Sequence, residues 1–212
     1  MALGTLADLL ALLQAEDPMP ELDRHAAELA ALLECRPNRE RLAALVAIET
    51  GQLFEWDAER RLLALLPDDA VSIAAVAARL GAPAALRDRF AAAAAAGGTP
   101  VRIVSWLSPR EIRRAIYRLG AQAFCDRVLL AWAAAPRTAA VPQWRLLLVY
   151  PGTWIVPEFP IGQSELRAAG ILPGPLADQV LQEVEAWWID LDFTDDRMAA
   201  VERLKAVIQG LA

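Results

Sequence analysis

Apolar residues recur along this chain at spacings of three and four, and the runs are cut at short intervals by proline, glycine and acidic residues. That rhythm suits a helix of period 3.6 and defeats a strand of period 2. Leu6, Leu9, Leu10 and Leu13 form one apolar face, stopped at Glu16, Asp17 and Pro18. Leu22, Ala26, Leu29, Leu32 and Leu33 form the next, closed by Pro37 and Asn38. Leu42, Leu45, Val46 and Ile48 follow, ending at Thr50 and Gly51. Leu62, Leu63, Leu65 and Leu66 lead into Pro67, Asp68 and Asp69, acidic residues suited to cap a helix carrying Val71, Ile73, Val76 and Leu80. Residues 83–96 run through a six-alanine stretch to Gly97, Gly98, Thr99 and Pro100, a helix terminator and the best place for a domain boundary.

The expectation is an all-α protein, an array of about ten short helices in two packed helical subdomains, residues 1–98 and 99–212. A 212-residue chain that is 56% hydrophobic can bury a substantial core. Val, Ile, Thr and the aromatics are too thinly spread for a sheet protein. No apolar run reaches the roughly 18 residues of a membrane span, and the N-terminal MALGTLADLLALLQAED lacks the basic start of a signal peptide. Cys35 and Cys125 sit inside helical patterns without partner spacing, as apolar residues of a reducing, cytoplasmic setting.

Charge divides the chain more sharply than composition does. Residues 1–99 hold 9 basic and 15 acidic side chains, residues 100–145 hold 8 and 2, and residues 146–212 hold 4 and 10. One island of net +6 therefore lies between two flanks of net −6 each. At its centre, SPREIRRAIYRLGAQAFCDRVLLAW, Ser108 is placed to cap and Pro109 to occupy the first helical turn. Arg110, Arg114 and Arg118 recur every four residues on one face, with Arg113 and Tyr117 beside them and Arg127 further on. Guanidiniums so arrayed suit successive phosphates, which they grip bidentately without reading sequence. The competing reading is a solvated face opposite Ile112, Ile116 and Leu119, or a face paired with the chain's own acidic flanks; it weighs somewhat more, because a net charge of −6 attracts nucleic acid weakly at long range.

Other chemistry lacks parts. His25 is the single histidine, neither cysteine has a second thiol or adjacent base, and no phosphate-cradling glycine loop is present. The acidic pairs Asp68 with Asp69, Asp190 with Asp192 and Asp195 with Asp196 fall at helix ends, as caps and loops and not as metal ligands. No catalytic or metal-binding residue is expected. The seven tryptophans are scattered without an alternating basic pattern and read mostly as core anchors. Trp187 and Trp188 stand about 100° apart on a helix, so at most one faces a core.

Residues 157–193, PEFPIGQSELRAAGILPGPLADQVLQEVEAWWIDLDF, set a Pro-rich strip, a short helical segment, Gly170, and a corner at Pro173, Gly174 and Pro175 ahead of a long amphipathic helix. This order resembles the C-terminal region of bacterial CCA-adding tRNA nucleotidyltransferases, of the poly(A) polymerase family. ERLAALVAIE at 40–49, RRLLALLPDDA at 60–70, RRAIYRLGAQAFCDRVLLAWA at 113–133 and EAWWIDLDF at 185–193 are similar to the same family's body and tail. The resemblance runs from about residue 5 to the end and implies a non-catalytic helical region that holds tRNA. The Gly-Ser turn and metal-binding aspartates of the family's head have no counterpart among these residues. Mg2+ and nucleotide would belong to that head, and no cofactor is expected in this chain. Partners implied are tRNA, a nucleotidyltransferase head domain, or a second copy. Two departures stand out. Gln163, Ser164, Glu165 and Leu166 replace the family's Gly-x-Asp-Leu, and Asp178 replaces a glycine after the corner. Added carboxylate there repels a phosphate backbone, so the alternative is a diverged protein-interaction module that no longer binds RNA.

Overall fold

A computed structural model describes residues 3–94, 102–135, 141–193 and 196–211. Among the described residues every regular element is helical: α1 (Leu6–Leu13), α2 (Met19–Arg24), α3 (Ala26–Leu33), α4 (Arg39–Gln52), α5 (Ala58–Leu65), α6 (Ala70–Arg79), α7 (Ala84–Ala93), α8 (Pro109–Leu119), α9 (Ala121–Ala134), α10 (Val141–Thr153), α11 (Gln163–Ala168), α12 (Pro175–Asp190) and α13 (Arg197–Leu211). Thirteen helices stand where about ten were expected. Two breaks each fall at a single residue. His25 takes φ −105°, ψ 24° and ends α2 while opening α3. Gly120 adopts φ 77°, a conformation open to a residue without Cβ, and turns the chain from α8 into α9.

Short polar side chains start the helices, as the sequence suggests. Asn38, Asp57 and Asp69 each accept a hydrogen bond from the backbone N–H three residues on. Ser108 and Glu111 form a reciprocal capping box with Pro109 in the first turn, and Thr5 with Asp8 forms another. Asp196 accepts from the Ala199 N–H at 3.0 Å, again at a helix start; Asp195 lies outside the described residues.

One buried apolar cluster draws on residues from Leu3 to Leu147. Its centre is α9, which packs against α4, α7, α8 and α10 and buries Phe124, Val128, Leu129 and Trp132. The boundary expected at Gly97, Gly98, Thr99 and Pro100 lies outside the described residues. α7 before it and α9 after it contribute to the same cluster. A second cluster unites Leu166 of α11, Val180 and Val184 of α12, and Ala200, Leu204 and Val207 of α13. A third, smaller group of Trp188, Ile189 and Phe193 packs with Tyr117, Trp154, Phe159 and Trp187, joining α12 to α8. Trp188 is 2% exposed and Trp187 half-buried, in keeping with the 100° between them. Of the other tryptophans Trp132 and Trp144 are buried, while Trp106 is 76% exposed. No described helix is long and apolar enough to cross a membrane.

Candidate functional site

α8 presents its arginines to the C-terminal end of α12. Arg113 donates from Nε to Asp192 Oδ1 at 2.8 Å, from Nη2 to the same carboxylate, and from Nη1 to the Tyr150 hydroxyl at 2.9 Å. Arg114 pairs through Nη2 with Asp190 and reaches the Ile189 carbonyl from Nε at 3.4 Å. Arg110 donates to the Asp190 carbonyl. Tyr117 donates its hydroxyl to Glu185 Oε1 at 2.5 Å; burial and that carboxylate push the phenol up. The array satisfies carbonyls that any helix leaves open in its last turn, and sets cations at the negative end of the α12 dipole.

The receiving turn is unusual in its backbone. Asp192 and Phe193 both adopt positive φ, 59° and 63°. Side-chain residues enter that region at a cost of about 1–2 kcal/mol each. Two contacts hold them there: the Arg113 fork on Asp192, and Phe193 packed on Trp188 at 5.1 Å, Tyr117 at 5.1 Å and Trp154 at 5.3 Å between ring centroids. The Arg113 guanidinium also holds the Asp192 carboxyl below its ordinary range.

The six residues expected to contact RNA therefore separate. Arg110, Arg113, Arg114 and Tyr117 converge on α12. Arg118 is exposed at the edge of the same face and has no ion pair among the described residues. Arg127 lies on α9 and lines a different cavity, with Arg41, Arg102 and Asp68. Pairing with the chain's own acidic flank, weighed against an RNA site from the sequence, is the arrangement found for Arg113 and Arg114. Asp190 and Asp192, taken from the sequence as helix-end residues, are its acceptors. Glu165 accepts from the Gly162 N–H at 2.9 Å and the Ser164 hydroxyl at 2.7 Å, capping the start of α11, and also pairs with Arg197. The Ser164 and Gly162 contacts hold its carboxyl near 2. Glu165 is thus an internal cap of α11.

A second ionic assembly escaped the sequence reading. Glu49, Arg61 and Asp126 are each 0% exposed. Arg61 donates to Glu49 Oε2 at 2.6 Å and to the Leu13 carbonyl at 2.8 Å, and stands over the Trp56 ring at 5.7 Å. Arg60 bridges Asp126 at 3.1 Å and Glu49 at 3.2 Å. Arg89 chelates Asp126 at 2.8 and 3.0 Å while reaching Asp57 and Glu59, each at 2.5 Å. Burial pushes the Glu49 carboxyl up against the pull of Arg61. At Asp57 burial acts upward too, but Arg89 overrides it and the carboxyl is lowered. The lattice ties α1, α4, α5, α7 and α9 with three guanidiniums against four carboxylates, leaving no cationic surplus for a ligand. One signal lay in the sequence: arginines within ERRLLALL, a run whose positions 60–65 are all buried.

No family of proteins, no curated protein and no solved structure matches this chain.

Proposed function

We propose that the chain is an RNA-holding helical region, similar in role to the body and tail of a CCA-adding tRNA nucleotidyltransferase, with α8 as its phosphate-contacting face and no transfer chemistry of its own. The observation that carries this is cation left exposed along α8, at Arg110 and Arg118. Arg110, Arg114 and Arg118 share one face of α8 with Arg113 beside them; the carboxylate of Asp190 at the end of α12 and that of Asp192 just past it pair with Arg114 and Arg113, and Arg110 donates to the Asp190 carbonyl. Arg110 and Arg118 are exposed, and the Arg114–Asp190 pair leaves the acid side chain 65% accessible. Phosphate oxygens bind guanidinium in the same bidentate geometry as carboxylate, so a backbone can extend this array from Arg118 inward. tRNA in the cytoplasm is the RNA that the sequence resemblance favours.

A titration of deacylated tRNA into the purified chain at two salt concentrations tests the reading. Binding should fall steeply as salt rises, because each neutralised phosphate releases counterion. The triple variant Arg110→Glu, Arg114→Glu, Arg118→Glu should abolish it, and Arg118→Glu alone, which breaks no ion pair among the described residues, should weaken it about threefold or more. Unchanged binding in the triple variant, or no binding at low salt, would overturn the assignment.

A second reading, a protein-interaction module, rests on the outer stripe of α10. Leu146 and Val149 are 61% and 59% exposed, and Ile155 beyond the helix is 90% exposed. A nucleotidyltransferase head domain or a second copy would cover such a stripe. Leu146→Glu with Val149→Glu should then abolish self-association in sedimentation or capture by a separately purified head domain; a monomer that captures no head discards this reading.

A further inference from the structure

Between the start of α4, the end of α7 and the middle of α9 lies a cavity of about 330 Å3 that holds a different balance of charge from either ionic assembly above. Its polar lining is Arg41, Arg102, Arg127 and Asp68: three guanidiniums and one carboxylate among the described residues. Its other wall is apolar, formed by Ile103 and by Leu130, Ala131 and Ala134 of α9. Arg127, Leu130, Ala131 and Ala134 fall at i, i+3, i+4 and i+7, so one helix face supplies both a cation and the apolar wall.

We propose that this cavity binds a small phosphate monoester, with the phosphate between Arg102 and Arg127 and the organic body against the α9 wall. Arg41 supplies fixed charge and is not itself adjustable. It is 7% exposed, and donates from Nε to the Ala64 carbonyl at 2.9 Å and from Nη2 to the Leu63 carbonyl at 3.0 Å and to the Leu66 carbonyl. Its Nη1 stands 3.4 Å from Asp68, whose own side chain is 94% exposed at the rim. Arg102 is exposed and forms no ion pair with a described carboxylate. Arg127 is half-buried; burial draws its pKa down, and Asp68 opposes that shift. Three guanidiniums line the cavity beside one carboxylate at its rim, and a phosphate offers two or three acceptors to guanidinium forks. The volume sits at the small end of ligand pockets, whose lining is apolar with a few convergent polar groups. This inference stands apart from the α8 reading, since none of the four α8 arginines lines the cavity.

Phenyl phosphate, titrated calorimetrically into the full chain at low salt, is a probe with both halves of the ligand. It should bind, phenol should not, and inorganic phosphate should bind more weakly than the ester. Arg102→Gln, an exposed substitution that spares the fold, should weaken phenyl phosphate about tenfold or more through loss of a charged hydrogen-bonding group. Asp68→Asn should strengthen it severalfold by removing the competing carboxylate, an effect that damage to the fold cannot imitate. Arg118→Glu should leave it unchanged. Indifference to Arg102→Gln, weakening by Asp68→Asn, or equal binding of phenol would overturn the proposal. Competition by a 5′-phosphorylated oligoribonucleotide, but not by its unphosphorylated form, would identify an RNA end as the source of the phosphate. Failure of both to compete would assign the site to a free small molecule.

Discussion

Arginine meets carboxylate in two main places in this molecule, with the same chemistry and very different surroundings. In the lattice under α4, α5 and α9 the Arg61–Glu49 pair is 0% exposed on both sides. At the seam between α8 and α12 the Arg113–Asp192 pair is 23% and 33% exposed, and Arg114–Asp190 28% and 65%. Removing one partner in the lattice strands a buried charge, whereas removing one at the seam returns the other to water. The lattice therefore behaves as structure, and the seam as a contact that salt, acid or a competing anion can loosen. Of these two places the seam is the one that keeps exposed cation, at Arg110 and Arg118, which is why RNA holding is proposed there.

The largest effect expected from this contrast is at Glu49. Glu49→Ala should destabilise the chain by about 3–5 kcal/mol, because Arg61 keeps its charge in a closed site; a thermal melt reads it, and a loss below about 1 kcal/mol would erase the distinction. Next comes the apolar part of the seam. Trp188→Ala removes a buried ring packed on Tyr117 at 5.7 Å and Phe193 at 5.1 Å, and should cost about 3 kcal/mol or more by the same measurement. Asp192→Asn should cost about 0.5–1 kcal/mol, and that cost should vanish in 1 M salt. An effect as large as that at Glu49, or one insensitive to salt, would move the seam into the structural class.

Protonation sharpens the comparison with a sign. Asp192 is held below its ordinary 3.8, so its stabilisation is present above that value and is lost as pH falls through its lowered folded value. Glu49 is raised above its ordinary 4.5, so the folded state favours its proton, and its contribution to stability declines as pH rises from 4.5 towards the folded value. A stability profile below pH 3.8 in the wild type and in Asp192→Asn should show a smaller acid loss in the variant. Identical acid limbs would remove Asp192 from the account. This is the smallest of the expected effects.

How much was legible follows the range of each interaction. Apolar period, Ser108 with Pro109, and the capping Asp69 act within one helical turn, and the helices begin where those residues stand. The basic face of α8 was legible for the same reason, as was the burial of only one of Trp187 and Trp188. The added break at His25 was not, because no proline or glycine marks it.

What the tertiary structure alone decided is which charges meet. Arg113 and Asp192 are 79 positions apart, and Arg60 and Asp126 are 66 apart. Nothing local to either partner specifies such a meeting; it exists because Trp188 and Phe193 seat α12 on α8, and because α4, α5 and α9 share one core. Local order fixes which face of a helix carries charge, through hydrogen bonds and sterics between near neighbours. Whether that face meets water, a carboxylate or a cavity depends on how distant helices pack. The sequence thus determined an all-helical chain with an arginine face, and the packing divided its arginines among a lattice, a seam and a cavity.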